Sequence, residues 1–181
     1  MLALVLSLAV ALVPHGAARQ DAPQREAGGL PKRGVLIVGS SLGGIKLGQT
    51  QAAVRSIWGG KYVVCPVIAC KDPTWLYIYP PGPLFGDPVG GAVGTGVRFQ
   101  KNKVVAVFTL GALLGWKTGE GIKVADPTSR VYEVYGEPAY TQCIGFSAMS
   151  MHQSKVVSSI YLTAGVVYGF GLSVPGINVC P

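Results

Sequence analysis

The chain has 181 residues, of which 49% are hydrophobic and 13% are charged, and its formal net charge is +7. This length and apolar content are sufficient to bury a core, so the composition excludes a chain that is disordered throughout. The 26 glycines and 13 prolines separate short apolar runs such as VLIVG, WLYIY, VVAVF and VVYGF. Short apolar runs separated by turn-forming residues predict that strands outnumber helices.

The N-terminal segment predicts export. Residues 1–13 form an apolar run that is too short to span a bilayer comfortably, and small residues follow it at 16–18. We interpret residues 1–18 as a signal peptide, with an uncleaved anchor as the alternative. Residues 19–33 mix both charges with proline and glycine and read as a linker. We therefore expect a secreted, periplasmic or cell-envelope protein with no stable transmembrane span after cleavage.

A repeated segment organises the rest of the chain. Gly44–Gly59 reads GIKLGQTQAAVRSIWG, and Gly121–Gly136 reads GIKVADPTSRVYEVYG. The two segments align without a gap, which indicates one supersecondary unit used twice. The predicted fold class is α+β, with two tandem two-layer copies of a short helix on an antiparallel sheet, over residues 34–118 and 119–181.

Each repeat predicts one short helix. Three apolar residues in each copy have the i, i+3, i+4 spacing of one helix face: Val54, Ile57 and Trp58 in the first, and Val131, Val134 and Tyr135 in the second. Thr50 is the predicted N-cap of the first helix, and Asp126 that of the second, with Pro127 as the first helical residue. Gly59 and Gly136 are the expected left-handed residues that end the helices.

Apolar runs between turn residues predict the strands of each copy. The first copy gives Lys61–Ile68, Thr74–Tyr79 and Gly96–Phe108, the last of these folded into a hairpin at residues 100–103. The second copy gives Tyr140–Met149, Lys155–Thr163 and Val166–Leu172, with a turn at residues 164–165. Residues 80–95 form a long loop rich in proline and glycine, which is typical of a functional segment.

Four cysteines follow the predicted signal peptide: Cys65, Cys70, Cys143 and Cys180. An even number of cysteines in an exported chain favours disulfides over free thiols, and three pairings exist. The short spacing around Pro66 favours a bond between Cys65 and Cys70. Cys143 would then hold the C-terminal tail through Cys180.

The order G-x-T-x3-V-x3-G, then an aromatic strand, then a strand–turn–strand resembles the SmpA/OmlA family. The residues that carry this resemblance are Gly48, Thr50, Val54 and Gly59, followed by residues 75–79 and 97–105. The resemblance implies a fold similar to each half of the β-lactamase inhibitor protein. It also implies a binding or scaffolding module without catalysis, whose tandem sheet presents a concave surface to a protein partner. The acylated cysteine of the family's lipoproteins is absent here.

No arrangement of residues predicts catalysis, so we expect neither an enzyme nor a cofactor. His152 is the only histidine after the signal peptide, and three serines lie near it, which leaves a serine hydrolase as an alternative, but a lone histidine is usually structural. The acidic residues are typical of turns, a helix cap and a solvated helix face. The cysteine spacing lacks the second pair that a zinc site needs, so no metal is expected. The glycines at 39, 43 and 44 do not form the dinucleotide-binding pattern. No nucleic-acid-binding motif occurs, and export also argues against a nucleic-acid partner.

The sequence favours an exported non-catalytic binding or scaffolding protein with a protein partner. An inhibitor of a secreted or periplasmic enzyme is the first alternative, with the 80–95 loop as its inserted element. A structural envelope protein held on an anionic polymer is the second, because residues 31–118 carry ten basic residues against two acidic ones. The candidate partner-binding residues are Trp75, Tyr77, Tyr79, Leu84, Phe85, Arg98, Lys101 and Lys103.

Overall fold

The structure is a computed structural model that describes residues 31–66, 70, 72–78, 94–111, 115–178 and 180. The predicted signal peptide, most of the linker and of the 80–95 loop, and the candidate residues Tyr79, Leu84 and Phe85 lie outside this range. Among the residues that it covers, no helix has the length and apolar character needed to cross a bilayer.

The described chain contains two short helices and eleven strands. In chain order the elements are β1 (Arg33–Ile37), β2 (Ser41–Leu42), α1 (Gln51–Trp58), β3 (Val63–Val64), β4 (Thr74–Ile78), β5 (Gly94–Gln100), β6 (Lys103–Leu110), β7 (Gly115–Thr118), α2 (Thr128–Tyr135), β8 (Ala139–Gln142), β9 (Ser147–His152), β10 (Val157–Thr163) and β11 (Val166–Ser173). The predicted α+β class, with strands in the majority, is confirmed at this level.

Eight strands form one antiparallel sheet in the order β3-β4-β5-β6-β11-β10-β9-β8. Strands β6 and β11 pair at its centre, so the two predicted copies join through β6 of the first and β11 of the second. The β5–β6 hairpin turns at Lys101 and Asn102, both with positive φ, and the β10–β11 hairpin turns at Ala164 and Gly165 in the same way. These two-residue turns match the twist of the strands, and their predicted positions are confirmed.

A second, three-stranded sheet has the order β2-β1-β7, and its β1 and β7 run parallel. Sequence analysis assigned no strand to residues 115–118. Strand β7 carries the buried Trp116, whose ring lies against Gly34 and Gly43. A Cβ atom at Gly34 would lie 2.5 Å from this ring, so the glycine allows the close approach. A long-range contact of this kind leaves no local pattern in the sequence.

The helices follow the prediction with one correction. Thr50 caps α1, since its hydroxyl accepts a hydrogen bond from the Ala53 amide at 3.3 Å. The cap of α2 is Pro127 rather than Asp126, and it makes no side-chain cap bond. The Asp126 carboxylate instead accepts a hydrogen bond from the Lys123 amide at 2.7 Å and closes the preceding turn. An aspartate therefore has two local amides within reach, and sequence alone does not choose between them.

Both helices and the three-stranded sheet pack on one face of the eight-stranded sheet. Val54 and Trp58 of α1 and Val131 of α2 are buried there in one continuous core. Trp58 is the centre of an aromatic group, with its ring centroid 5.5 Å from that of Tyr77 and 6.2 Å from that of Trp116, both edge to face. Each helix has only eight residues, so this packing must supply most of its stability.

Two buried tryptophans give a matched test of this core. The Trp58 indole N–H donates to the Gly43 carbonyl at 2.8 Å, whereas the Trp116 indole N–H has no partner in the described chain. Trp58→Phe leaves a buried carbonyl unpaired, while Trp116→Phe removes an unpaired donor. We expect Trp58→Phe to lower the free energy of unfolding by about 2 kcal/mol more than Trp116→Phe. Urea denaturation measures both, and equal losses would contradict this account.

Both favoured disulfides are present. Cys65 bonds to Cys70 and Cys143 bonds to Cys180, with Cα–Cα distances of 5.9 and 5.6 Å. The described part of the chain contains no free cysteine. The favoured pairing is therefore confirmed.

Candidate functional site

The face of the eight-stranded sheet that turns away from α1 and α2 is called the outer face here. Side chains alternate between the two faces of a strand. In β4, Trp75 and Tyr77 are buried in the core beneath α1, and Leu76 and Ile78 therefore lie on the outer face. No described helix or strand packs on this side, which makes it the candidate binding surface.

Glycines line the centre of the outer face. Phe108 of β6 has Gly96 on one side and Gly171 on the other, and Leu110 is flanked in the same way by Gly94 and Gly169. A Cβ atom at Gly96 would lie 2.2 Å from the Phe108 ring. The ring therefore lies flat across the neighbouring strand, and the centre of this face is smooth and shallow.

Tyr161 of β10 is packed in a similar way. Its hydroxyl oxygen lies 2.2 Å from the position of a Cβ atom at Gly171, so the side chain reaches over β11 toward the centre of the face. Burial raises the pKa of Tyr161 above its ordinary value, and the positive charge of Arg98 opposes this rise to a smaller extent. Arg98 and Tyr161 both lie on the outer face, on β5 and β10.

The C-terminal tail covers part of the outer face. After β11, the Val174 amide donates to the Val105 carbonyl, and the chain turns through Gly176 before Cys180 bonds to Cys143. Cys180 packs with the apolar cluster of the outer face that includes Tyr161. The stretch from Val174 to Cys180 spans at most about 20 Å. The described tail therefore leaves the sheet at Val174 and returns to its outer face at Cys180.

The outer face of the first half keeps several apolar side chains accessible. Val63 is 51% exposed and Ile78 is 46% exposed, while Leu76 and Arg98 are half-buried. Register places Val63 beside Leu76, and Arg98 lies in the row next to them. These four residues are called the open patch. It combines apolar area with one cation, and no described acidic residue forms an ion pair with Arg98.

The candidate partner-binding residues separate into different places. Trp75 and Tyr77 are buried in the core, so the expectation that they contact a partner is corrected by their position. Arg98 lies on the outer face. Lys101 and Lys103 are exposed at the β5–β6 hairpin turn, and Lys101 lines a shallow depression there. The lysines and Arg98 are therefore not brought together with the two aromatic residues.

A second exposed feature is the turn between β8 and β9. Ile144 at its tip is 92% exposed, and Gly145 follows with a φ of 79°. The Gln142 side-chain amide donates to the Cys143 and Phe146 carbonyls at 3.1 and 3.0 Å. The Cys143–Cys180 disulfide also holds this turn. Ile144 is thus an apolar side chain presented on a braced turn.

Polar chemistry on the outer face is limited to a few groups. The hydroxyls of Ser150 and Ser159 hydrogen bond to each other at 3.0 Å, and both residues are buried. His152 is exposed at the end of β9, opposite Val157. Within the described ranges, no three His, Cys, Asp or Glu side chains are grouped closely enough to hold a metal ion.

Sequence analysis missed Val63, Leu76 and Ile78 as surface residues. In β4, Leu76 and Ile78 alternate with Trp75 and Tyr77. All four side chains are apolar, so the sequence does not show which pair faces outward. The motif G-x-G in both β5 and β11 was a signal for the smooth centre of the face. No family model, curated protein or solved structure matches this chain.

Proposed function

We propose that this chain is an exported, non-catalytic binding protein of the cell envelope or extracellular space, and that the open patch docks a protein partner. The single observation that carries the proposal is the pair of exposed apolar side chains, Val63 and Ile78, beside the half-buried Arg98. Apolar side chains and arginine are the groups that form the centre of protein interfaces. A smooth face next to such a patch suits a broad partner surface.

We also propose that the fold is a tandem duplication of an SmpA/OmlA-like unit, arranged as in the β-lactamase inhibitor protein. Support comes from matching backbone hydrogen bonds. The Gly48 amide donates to the Val104 carbonyl. Ala125, which lies 77 positions after Gly48, donates in the same way to the Val167 carbonyl. The strand order, in which β3–β6 mirror β8–β11 about the centre, fits the same duplication. The boundary between the repeats at residue 118 remains a prediction.

The two disulfides support the proposed location. Such bonds persist in oxidising compartments and are rare in the cytosol. Cys65–Cys70 and Cys143–Cys180 therefore fit a secreted or periplasmic protein.

Affinity capture with matched variants tests the docking proposal. The oxidised protein is incubated with an envelope extract of its own source and washed at low and then high salt. Ile78 and Tyr132 are both 46% exposed, but Tyr132 lies on α2, away from the outer face. We expect Ile78→Asp to lower the amount of one captured protein at least tenfold, because a charge would be buried against apolar groups. Tyr132→Asp should leave capture unchanged.

Two outcomes would contradict the docking proposal. If Ile78→Asp retains the high-salt partner at the wild-type level, the open patch does not bind it. If material is retained at low salt only, on polymer or on many proteins alike, the net charge of +7 is the main attraction. The alternative of a structural protein held by basic charge would then take precedence.

A second candidate function is inhibition of a secreted or periplasmic enzyme. The observation that favours it is Ile144, since a braced turn loses little conformational entropy when its side chain enters a pocket. Ile144→Asp would then abolish capture, whereas Ile78→Asp would not. An activity assay of the captured enzyme, with and without the oxidised protein, would test the inhibition itself.

A further inference from the structure

Strand β3 is an edge of the eight-stranded sheet, since only β4 pairs with it. The Cys65 amide donates to the Thr74 carbonyl at 2.8 Å, so these two residues form a hydrogen-bonded pair. Hydrogen-bonded and non-hydrogen-bonded pairs alternate along two antiparallel strands. Val64, opposite Trp75, is therefore in a non-hydrogen-bonded pair, and its N–H and C=O point away from β4. Neither group has a hydrogen-bond partner among the described residues.

This edge lacks the usual protection. Natural edge strands are blunted by charges, by proline or by a segment that covers them. The two residues of β3, Val63 and Val64, are 51% and 60% exposed, and neither is charged or a proline. The opposite edge differs, because Pro138 directly precedes β8 and the Cys180 Sγ lies 4.0 Å from the Gln142 carbonyl oxygen. The free side of β3 is therefore the edge that is open to another strand.

The charged groups beside this edge are cations. On the side that faces α1, the guanidinium carbon of Arg55 lies 5.3 Å from the ring centroid of Trp75, the register partner of Val64. Lys61 is exposed two residues before β3. Neither cation forms an ion pair with a described acidic residue. A second copy of the chain paired through β3 would bring like charges together, whereas an acidic strand would neutralise them.

We propose that the partner protein adds an extended segment to the free side of β3 as an antiparallel ninth strand, with acidic side chains directed toward Arg55 and apolar side chains toward Val63. The backbone bonds to Val64 give affinity, and the alternating side chains give specificity. A residue paired with Val64 places its side chain on the α1 side, and the next residue places its side chain beside the open patch. This inference rests on the proposed docking function and specifies how the partner binds.

Three synthetic peptides test the inference without the natural partner. The parent is acetyl-Glu-Val-Glu-Val-Glu-amide, whose glutamates share one face of an extended chain. When the glutamates face α1, the amide of the central glutamate points to Val64 and the valine amides point to solvent. N-methylation of the central glutamate therefore removes a bond to β3, whereas N-methylation of the second valine removes none. The three peptides have the same charge.

Each peptide is titrated to ~20 mM into the oxidised full-length protein, with the Val64 amide signal followed by NMR. We expect the parent and the valine-methylated peptide to shift this signal saturably, and the glutamate-methylated peptide to bind at least about fivefold more weakly. Arg55→Gln should weaken binding of the parent about threefold, because one attracting charge is lost. Arg130→Gln removes an exposed cation of α2 and should leave binding unchanged.

A pair of substitutions at position 64 separates backbone pairing from side-chain contact. Val64→Pro removes the outward N–H but keeps the bonds between β3 and β4, and proline is tolerated on an edge strand in this orientation. Val64→Ala keeps the N–H and shortens the side chain. We expect Val64→Pro to abolish peptide binding, followed by tryptophan fluorescence, and to lower capture of the natural partner at least tenfold. Val64→Ala should retain both, and thermal unfolding verifies that each variant is folded.

Equal binding of the three peptides, no saturable binding, or equal losses in Arg55→Gln and Arg130→Gln would overturn the inference. Protection of the Val64 amide from hydrogen exchange in the protein alone would also overturn it. Protection that rises with protein concentration would assign the edge to a second copy, and constant protection would assign it to another segment of the chain.

The docking function is tested separately with Ile78→Asp. If Ile78→Asp loses the captured partner but Val64→Pro keeps it, the docking function holds and strand addition is wrong. If both variants keep the partner, both proposals are wrong.

Discussion

Gly169→Ala is expected to lower the free energy of unfolding by about 4 kcal/mol, the largest effect that we predict for one methyl group. The Cβ atom would lie 1.9 Å from the carbonyl oxygen of Thr109. Both contacting groups belong to backbone at the β6–β11 seam, so relief requires the two central strands to move apart. Chemical denaturation followed by circular dichroism measures the loss.

Gly60→Ala is the matched control for this substitution. Gly60 has no atom within 4 Å of its Cβ position and no positive φ. Its replacement should change stability by less than about 0.5 kcal/mol. A Gly169→Ala protein as stable as Gly60→Ala would mean that β6 and β11 are not paired as described.

Removal of the Cys143–Cys180 bond by a double substitution to alanine is expected to lower the free energy of unfolding by about 4 kcal/mol, because the bond closes a loop with a sequence separation of 37. It also releases the tail from the outer face. Tyr161 should then become accessible, which tyrosine fluorescence quenching by acrylamide would detect. Denaturant titration of the oxidised proteins measures the stability change.

The Cys65–Cys70 bond provides the comparison. Its sequence separation is 5, so its removal should cost only about 2 kcal/mol and should leave Tyr161 buried. If the two double variants lose the same stability, the loop-closure argument fails. If Tyr161 stays protected without Cys143–Cys180, the tail does not cover it.

Local signals in the sequence were sufficient for α1, for the β5–β6 and β10–β11 turns and for the Cys65–Cys70 bond, but they gave the wrong cap for α2 and merged β8 and β9 into one predicted strand, Tyr140–Met149. Thr50 lies directly before an apolar i, i+3, i+4 series, and Asn102 lies between two apolar strands, so each has one reasonable role. Cys65 and Cys70 have a sequence separation of 5, so each stays near the other in the unfolded chain and is its most accessible partner. In these cases the interacting groups are neighbours in the chain, whereas Cys180 was assigned to Cys143 only because the other two cysteines were already paired.

The direction of β4 side chains was beyond the sequence. Trp75, Tyr77, Leu76 and Ile78 are all apolar, so alternation alone gives no polar face to identify. The larger aromatic side chains turn inward, where Tyr77 meets Trp58 of α1 edge to face and Trp75 stacks on Tyr62. The inward direction of these side chains depends on α1 packing across the sheet, which is a contact between residues distant in sequence.

The candidate site depends even more on distant pairing. Val63, Leu76 and Arg98 come from three strands, and only the β3–β4–β5 register brings them together. The pairing of β1 with β7 in the second sheet is of the same kind. The G-x-G motif in β5 is visible in the sequence. The reason for its second glycine, Gly96, is the Phe108 ring that lies over it from the neighbouring strand.

Site-specific photo-crosslinking tests the central claim most directly. A benzoylphenylalanine is placed at position 78, 132 or 144, and each protein is irradiated in an envelope extract of its own source. The account predicts one major crosslinked protein from position 78 and none from position 132 on α2. A product from position 132 or 144 with none from position 78 would contradict it and would place the binding surface elsewhere on the molecule.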